Sequence, residues 1–208
     1  MSHIRRRTAL AALVALGLAA CGQGKAAGSG GAVPDDMTMG SPTAKVTVVE
    51  YASVACPHCA RFNNDVFPTI KKKYIDTGRV KWVAREQLTG EPSIAAAGFL
   101  TARCAGKDKY FFVTDAVYRA QEEMFRSGDV RGVLLRIAQS AGLSQQQFDT
   151  CINDEKGLNA LQERVDKSSR ENNVNSTPTF DVNGKRTTGE VTVPALSAAI
   201  DAALAGKK

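Results

Sequence analysis

The sequence predicts an α/β domain in which a block of helices separates two stretches of β-strand. Three observations carry this reading. The β-branched, mostly apolar run Val46-Thr47-Val48-Val49-Glu50-Tyr51-Ala52 reads as a buried strand, and it leads into Cys56-Pro57-His58-Cys59 and a helix. From Ser93 to about Asn173 the apolar residues recur at helical spacing. Beyond that block, two short strand-like runs flank Asn183-Gly184, a strong two-residue hairpin turn, and an amphipathic helix follows.

The chain has 208 residues, five cysteines, two histidines and a formal net charge of +6. It opens on Arg5-Arg6-Arg7, followed by apolar or small residues from Thr8 to Ala20. This pattern reads as a signal peptide over residues 1–20, too short to cross a bilayer core of about 30 Å. Leu18-Ala19-Ala20-Cys21 resembles the lipobox of bacterial lipoproteins, which implies diacylglycerol attachment to Cys21 and a membrane anchor; ordinary cleavage nearby is the alternative. Losing the three arginines lowers the charge from +6 to +3. Lys71-Lys72-Lys73 is then a single basic run, read as a solvated helix face, and no nucleic-acid partner is expected. Residues 21–41, rich in Gly, Ala and Ser, read as a flexible tether averaging about 25 Å end to end. With Cys21 acylated, four cysteines remain. An even number in an exported chain implies an oxidising compartment and two pairs.

Residues 42–208 suffice for one domain with a sizeable core. The first strand and the Cys-x-x-Cys helix come first, and Pro68 should kink or break that helix near Phe67. Asp76-Thr77-Gly78 makes a turn. Val80 to Arg85 reads as a second strand, parallel to the first. In the helical block (about 93–173), Tyr110, Val113, Val117, Ala120 and Met124 form one apolar stripe, and Val130, Val133, Leu134, Ile137, Ala138 and Ala141 another. Ser144 with Gln147 makes a capping box, with Leu143 and Phe148 as its staple, and Leu158, Leu161 and Val165 mark one more helix. The hairpin strands are Thr179–Val182 and Lys185–Thr188, and a helix runs from about Thr192 to Ala205.

A Cys-x-x-Cys at a strand-to-helix turn within a βαβ unit reads as a redox motif. The first sulfur, on Cys56, sits at the helix N-terminus, where unpaired N–H groups and the macrodipole favour a thiolate. Cys59 lies about one turn on, close enough for a disulfide. Pro57 fits the first turn because its missing N–H would be unpaired there. Half of a zinc site is the competing reading, but once residues 1–20 with His3 are removed, His58 is the one histidine left and four ligands are lacking.

The Cys56-Pro57-His58-Cys59 tetrapeptide, its context Val49-Glu50-Tyr51-Ala52-Ser53, and Ser176-Thr177-Pro178-Thr179-Phe180 together resemble the DsbA family of thiol:disulfide oxidoreductases. The resemblance covers nearly all of residues 42–208. It implies a thioredoxin fold with an inserted α-helical subdomain and no cofactor or metal. It makes Cys56 the exposed nucleophile and Cys59 its buried partner, with His58 stabilising the Cys56 thiolate as a donor or nearby charge. Glu50 is placed beneath the pair to relay the Cys59 proton; the strand alone would equally allow it to sit at a strand end in water. Thr177-Pro178 becomes a cis-proline loop that hydrogen-bonds an extended substrate. Cys104 and Cys151, both in the insert, read as a structural disulfide, with two buried free thiols as the alternative. The implied partners are reduced exported proteins and a membrane oxidase resembling DsbB, and the implied state is a monomer in the periplasm, anchored through Cys21. Threonine at 177, where many DsbA oxidases carry valine, keeps a disulfide isomerase or reductase open as the rival, and a thioredoxin-fold metal-handling protein is a more distant one.

Overall fold

The computed structural model describes residues 35–206. The signal peptide and Cys21 lie outside the described residues. Five strands form one sheet in the order β1-β3-β2-β4-β5: β1 (Met37–Gly40), β2 (Val46–Ala52), β3 (Val80–Glu86), β4 (Thr179–Val182) and β5 (Lys185–Thr188). β2 and β3 are parallel and every other neighbouring pair is antiparallel. The parallel pair follows from the helical crossover between them, and the antiparallel β4–β5 pair from the Asn183-Gly184 turn, where both residues take positive φ.

β1 corrects the expected extent of the tether. The composition places Met37 to Gly40 in a flexible segment ending at 41, yet they pair with Lys81 to Ala84 of β3. A four-residue run in Gly- and Ser-rich surroundings has too little alternation to be read alone. Its partner is the free edge of β3, and Met37, 5% exposed, is buried there. At the end of this strand Gly40 has φ +85°, and a Cβ would lie 2.4 Å from the Val80 carbonyl oxygen, so glycine is required by contact as well as by backbone.

The segment after Cys56 stays helical past Pro68, so the expected kink or break near Phe67 takes the form of a change of helix type there. α1 (Pro57–Arg61) passes into a π-helical turn (Phe62–Val66), then α2 (Phe67–Ile70) and a second π-helical turn (Lys71–Ile75). Pro68 falls in the first turn of α2, where its missing N–H costs least, and the wider π-turn before it accommodates the change of register. Phe62, Ile70, Tyr74 and Ile75 of this segment, with Leu196 and Ile200 of α8 (Val193–Leu204), cover the sheet face carrying Val46, Val48, Trp82 and Phe180.

The insert comprises α3 (Pro92–Cys104), α4 (Lys107–Ser127), α5 (Val130–Ser140), α6 (Gln145–Ile152) and α7 (Glu155–Asn172). Both apolar stripes face the core, with Ala120, Val130 and Ala141 partly buried at their margins, and Ser144 and Gln147 close the capping box. Leu158 is the exception at 41% exposed: it lies on the outer side of α7, and Leu161 and Val165 carry that helix's packing. A Cys104–Cys151 disulfide joins the end of α3 to α6. The insert is tied to the sheet by Glu86, which is 5% exposed. Its carboxylate accepts from Arg103 (2.6 and 2.8 Å), Arg164 (3.2 Å) and the Tyr110 hydroxyl (3.2 Å). Two guanidinium groups offset the cost of burying that charge. Among the described residues no helix is long and apolar enough to cross a membrane.

Candidate active site

Cys56, Pro57, His58, Cys59, Thr177 and Pro178 come together beyond one end of the central strands, with Glu50 on β2 leading to them, whereas Cys104 and Cys151 lie apart in the insert. β2 ends at Ala52, and a tight turn delivers Cys56: its N–H donates to Ser53 O (3.1 Å) and the Ser53 hydroxyl donates to Thr89 O (2.7 Å). From α4, Gln121 donates to Val54 O at 2.9 Å, so the helical insert braces the turn. Cys56 is the N-cap of α1, with extended backbone (φ −92°, ψ 122°), and Pro57 opens the helix. Gly90 closes over this turn with φ +78°, and a Cβ there would lie 2.4 Å from Ala55 O.

Cys56 and Cys59 are both free thiols, with exposures of 6% and 0%. The order is the expected one, but Cys56 is more enclosed than an exposed nucleophile, because the Gly90 and Thr177 loops press on it from both sides. The Thr177–Pro178 bond is cis. This brings the Thr177 carbonyl within 3.6 Å of Cys56 Sγ, to which the thiol donates. The Thr177 hydroxyl pairs with that of Thr89 at 2.6 Å.

The two sulfurs are pushed in opposite directions. Cys56 is held down at about 5: the Cys59 thiol donates to its sulfur, burial opposes, and the Thr177 side chain with the backbone N–H groups of Cys59 and His58 adds further donors that favour the charge. Cys59 is driven far above the ordinary thiol range, first by burial, then by the neighbouring Cys56 sulfur, with a smaller push from Glu50. One sulfur is a stable anion and the other a stable thiol.

The donor role expected of His58 falls to its main chain and not to its ring. Its contribution to the thiolate is its backbone N–H, at the start of α1. The imidazole turns outward: Nδ1 lies 2.9 Å from Glu190 Oε1 and 2.7 Å from Arg61 Nη2. Arg61 in turn donates to Glu190 through Nε at 3.0 Å.

Glu50 lines a cavity of about 330 Å³, together with Phe67, Trp82, Phe99, Tyr110 and Tyr118. It shares the inward sheet face with Val48, and accepts from the Trp82 indole N–H at 3.1 Å. Burial raises its carboxyl to about 7, with the Trp82 bond pulling the other way. Such a group exchanges a proton near neutrality. The folded chain therefore binds more protons than the unfolded one between pH 4.5 and about 7, so stability falls as pH rises through that window. Glu50→Gln should remove this slope, gaining on the order of 2–3 kcal/mol over wild type between pH 4.5 and 7.5. Urea unfolding of both proteins at the two pH values checks it, and identical pH dependence would refute the burial assignment.

Among the described residues no group of three or more His, Cys, Asp or Glu is gathered as a metal site. Sequence reasoning missed Thr89, Gly90, Arg61 and Glu190. Only Gly90, in the Thr89-Gly90 loop, left a local signal; the others are placed by contacts 3 to 132 residues away in the chain.

A family model described as thioredoxin matches residues 32–202. The chain belongs to the thioredoxin family. Its fold is the DsbA-like form, with the helical insert. It is 26% identical to α-DsbA1 of Wolbachia pipientis, with a TM-score of 0.75 over 85% of this chain and 94% of that one. Among curated relatives it is 32% identical to a candidate protein-disulfide oxidoreductase of Rickettsia bellii and 34% identical to one of Rickettsia conorii, each over 84% of this chain. The matched region spans 66% and 62% of those relatives, so this thioredoxin-family chain accounts for somewhat under two thirds of their length.

Proposed function

We propose that the protein is a thiol:disulfide oxidoreductase that introduces disulfides into exported proteins through Cys56 and Cys59. The observation that carries this reading is the opposite ionisation of the two sulfurs. A substrate thiolate attacks Cys56 Sγ of the oxidised pair, forming a mixed disulfide and releasing the Cys59 sulfur. That buried sulfur is a poor anion and takes up a proton, which Glu50 supplies in this reading; a carboxyl raised to about 7 by burial supports that role. A second substrate thiolate then attacks the substrate sulfur of the mixed disulfide. It expels Cys56 as its stable thiolate, leaving the substrate oxidised by two electrons and the enzyme reduced. Stabilising the Cys56 anion favours the reduced enzyme and makes its disulfide oxidising.

The proposed setting is the periplasm: residues 1–20 direct export, Cys21 anchors a monomeric domain by its lipid, and a membrane oxidase resembling DsbB accepts the electrons. The Cys104–Cys151 disulfide fits an oxidising compartment. The decisive experiment is thiolate absorbance of the reduced protein against pH. A Cys56 transition at about 5 is expected, and one near the ordinary thiol value would overturn the proposal. Thr177 favours isomerisation as the second reading, since the Thr89–Thr177 hydroxyl pair gives the cis-proline loop a polar wall beside Cys56. Reactivation of scrambled ribonuclease faster than oxidation of reduced ribonuclease would favour it.

A further inference from the structure

We propose that Glu190 is a positioning residue that holds the His58 imidazole away from Cys56 and so limits how strongly the Cys56–Cys59 disulfide oxidises. The inference rests on the function proposed above and adds a residue to its control. His58 is two positions after Cys56 on α1 and three before Arg61, so its side chain can swing toward either neighbour. In the structure it goes to Arg61 and Glu190. Glu190 Oε1 takes the Nδ1 contact at 2.9 Å and the Arg61 Nε hydrogen bond at 3.0 Å, with Arg61 Nη2 closing a further contact.

The carboxylate is delivered by the segment following β5, and that segment is registered on the active site. Gly189, with φ +83°, donates its N–H to Pro178 O at 2.9 Å, the carbonyl of the cis-proline itself. The same loop that faces Cys56 therefore sets how far Glu190 stands from α1. All three side chains are more than half exposed, at 53 to 61%. An ion pair of this kind adds little to stability. Its consequence is where charge and hydrogen are aimed. The imidazole donates from Nδ1 to the carboxylate, or accepts there from Arg61, and in either arrangement that nitrogen is engaged by these partners.

The test measures Cys56 thiolate absorbance against pH, and the equilibrium with glutathione, in full-length wild type, Glu190→Gln, His58→Ala and the double variant. In that equilibrium two glutathione thiols reduce the Cys56–Cys59 disulfide and become one glutathione disulfide. With Gln at 190 the imidazole is released toward the sulfur. The thiolate ionisation constant should rise about threefold to tenfold, and the glutathione equilibrium should move toward reduced enzyme by a similar factor. With His58→Ala in place, Glu190→Gln should change neither quantity. Identical titrations for wild type and Glu190→Gln would overturn the proposal. So would an undiminished shift in the His58→Ala background, since the carboxylate would then act by its own charge or through Arg61. These readouts compare variants of one thiol, so they stand apart from the parent proposal, which fails instead if wild-type Cys56 titrates as an ordinary thiol.

Discussion

Serine at position 56 should reduce disulfide transfer to a reduced test protein to the uncatalysed rate. Among the described residues no other sulfur can take over. Cys59 is 0% exposed and its thiol is held far above the ordinary range, and Cys104 and Cys151 are bonded to each other. The companion variant Cys59→Ser also loses the Cys56–Cys59 disulfide and with it oxidation of a reduced test protein, but it fails differently. Offered a substrate that already carries a disulfide, its Cys56 thiolate should open that bond and expel one substrate sulfur as a thiolate, then stay trapped as the mixed disulfide because the Cys59 thiol that would release it is gone. Alkylation separates the two sulfurs directly. At pH 7 a thiol titrating at about 5 is about 99% ionised, so iodoacetamide should label Cys56 and leave Cys59 untouched in the folded reduced protein. The 6% exposure of Cys56 makes this a demanding test, because the Thr177 and Gly90 loops must admit the reagent. Peptide mass spectrometry reads the site of labelling. Turnover by Cys56→Ser at the wild-type rate would remove the assignment.

Replacing Cys104 and Cys151 together by alanine should cost about 4 kcal/mol, as the chain-entropy relation gives for a loop closed across 47 residues. For a domain of this size that corresponds to a fall in Tm of about 8–16 °C. The bridge holds the end of α3 to α6, within the insert and away from the Cys56 turn. Stability and chemistry should therefore separate: the unfolding midpoint in urea falls, while the Cys56 thiolate titration stays where it was. A loss under about 1 kcal/mol would mean that the insert packs well enough without the bridge. A moved titration would mean that Gln121, which braces the Val54 carbonyl from α4, had shifted with the helices.

Much of this chain is decided locally, and those parts are legible without coordinates. The β-branched run of β2, the helical stripes of the insert, the Ser144 capping box and the Asn183-Gly184 turn each act within about twenty residues, through backbone sterics and side-chain periodicity. The Cys-x-x-Cys at a helix start belongs to this class, since three intervening bonds along α1 set both the spacing of the sulfurs and the N–H groups that stabilise the first. Position in the chain thus made Cys56 the acidic sulfur.

Tertiary structure decided what those groups face. β1 exists because the free edge of β3 is there to pair with it. Glu50 could have ended in water, and it titrates near neutrality because Trp82 and the aromatic wall of a cavity close over it. His58 looked like the sulfur's neighbour in sequence, but Glu190, 132 residues on, draws its ring away. The physical reason is one of range. Periodicity, capping and helix dipoles act within a few turns, whereas desolvation and charge depend on whatever the fold brings near, from any distance along the chain.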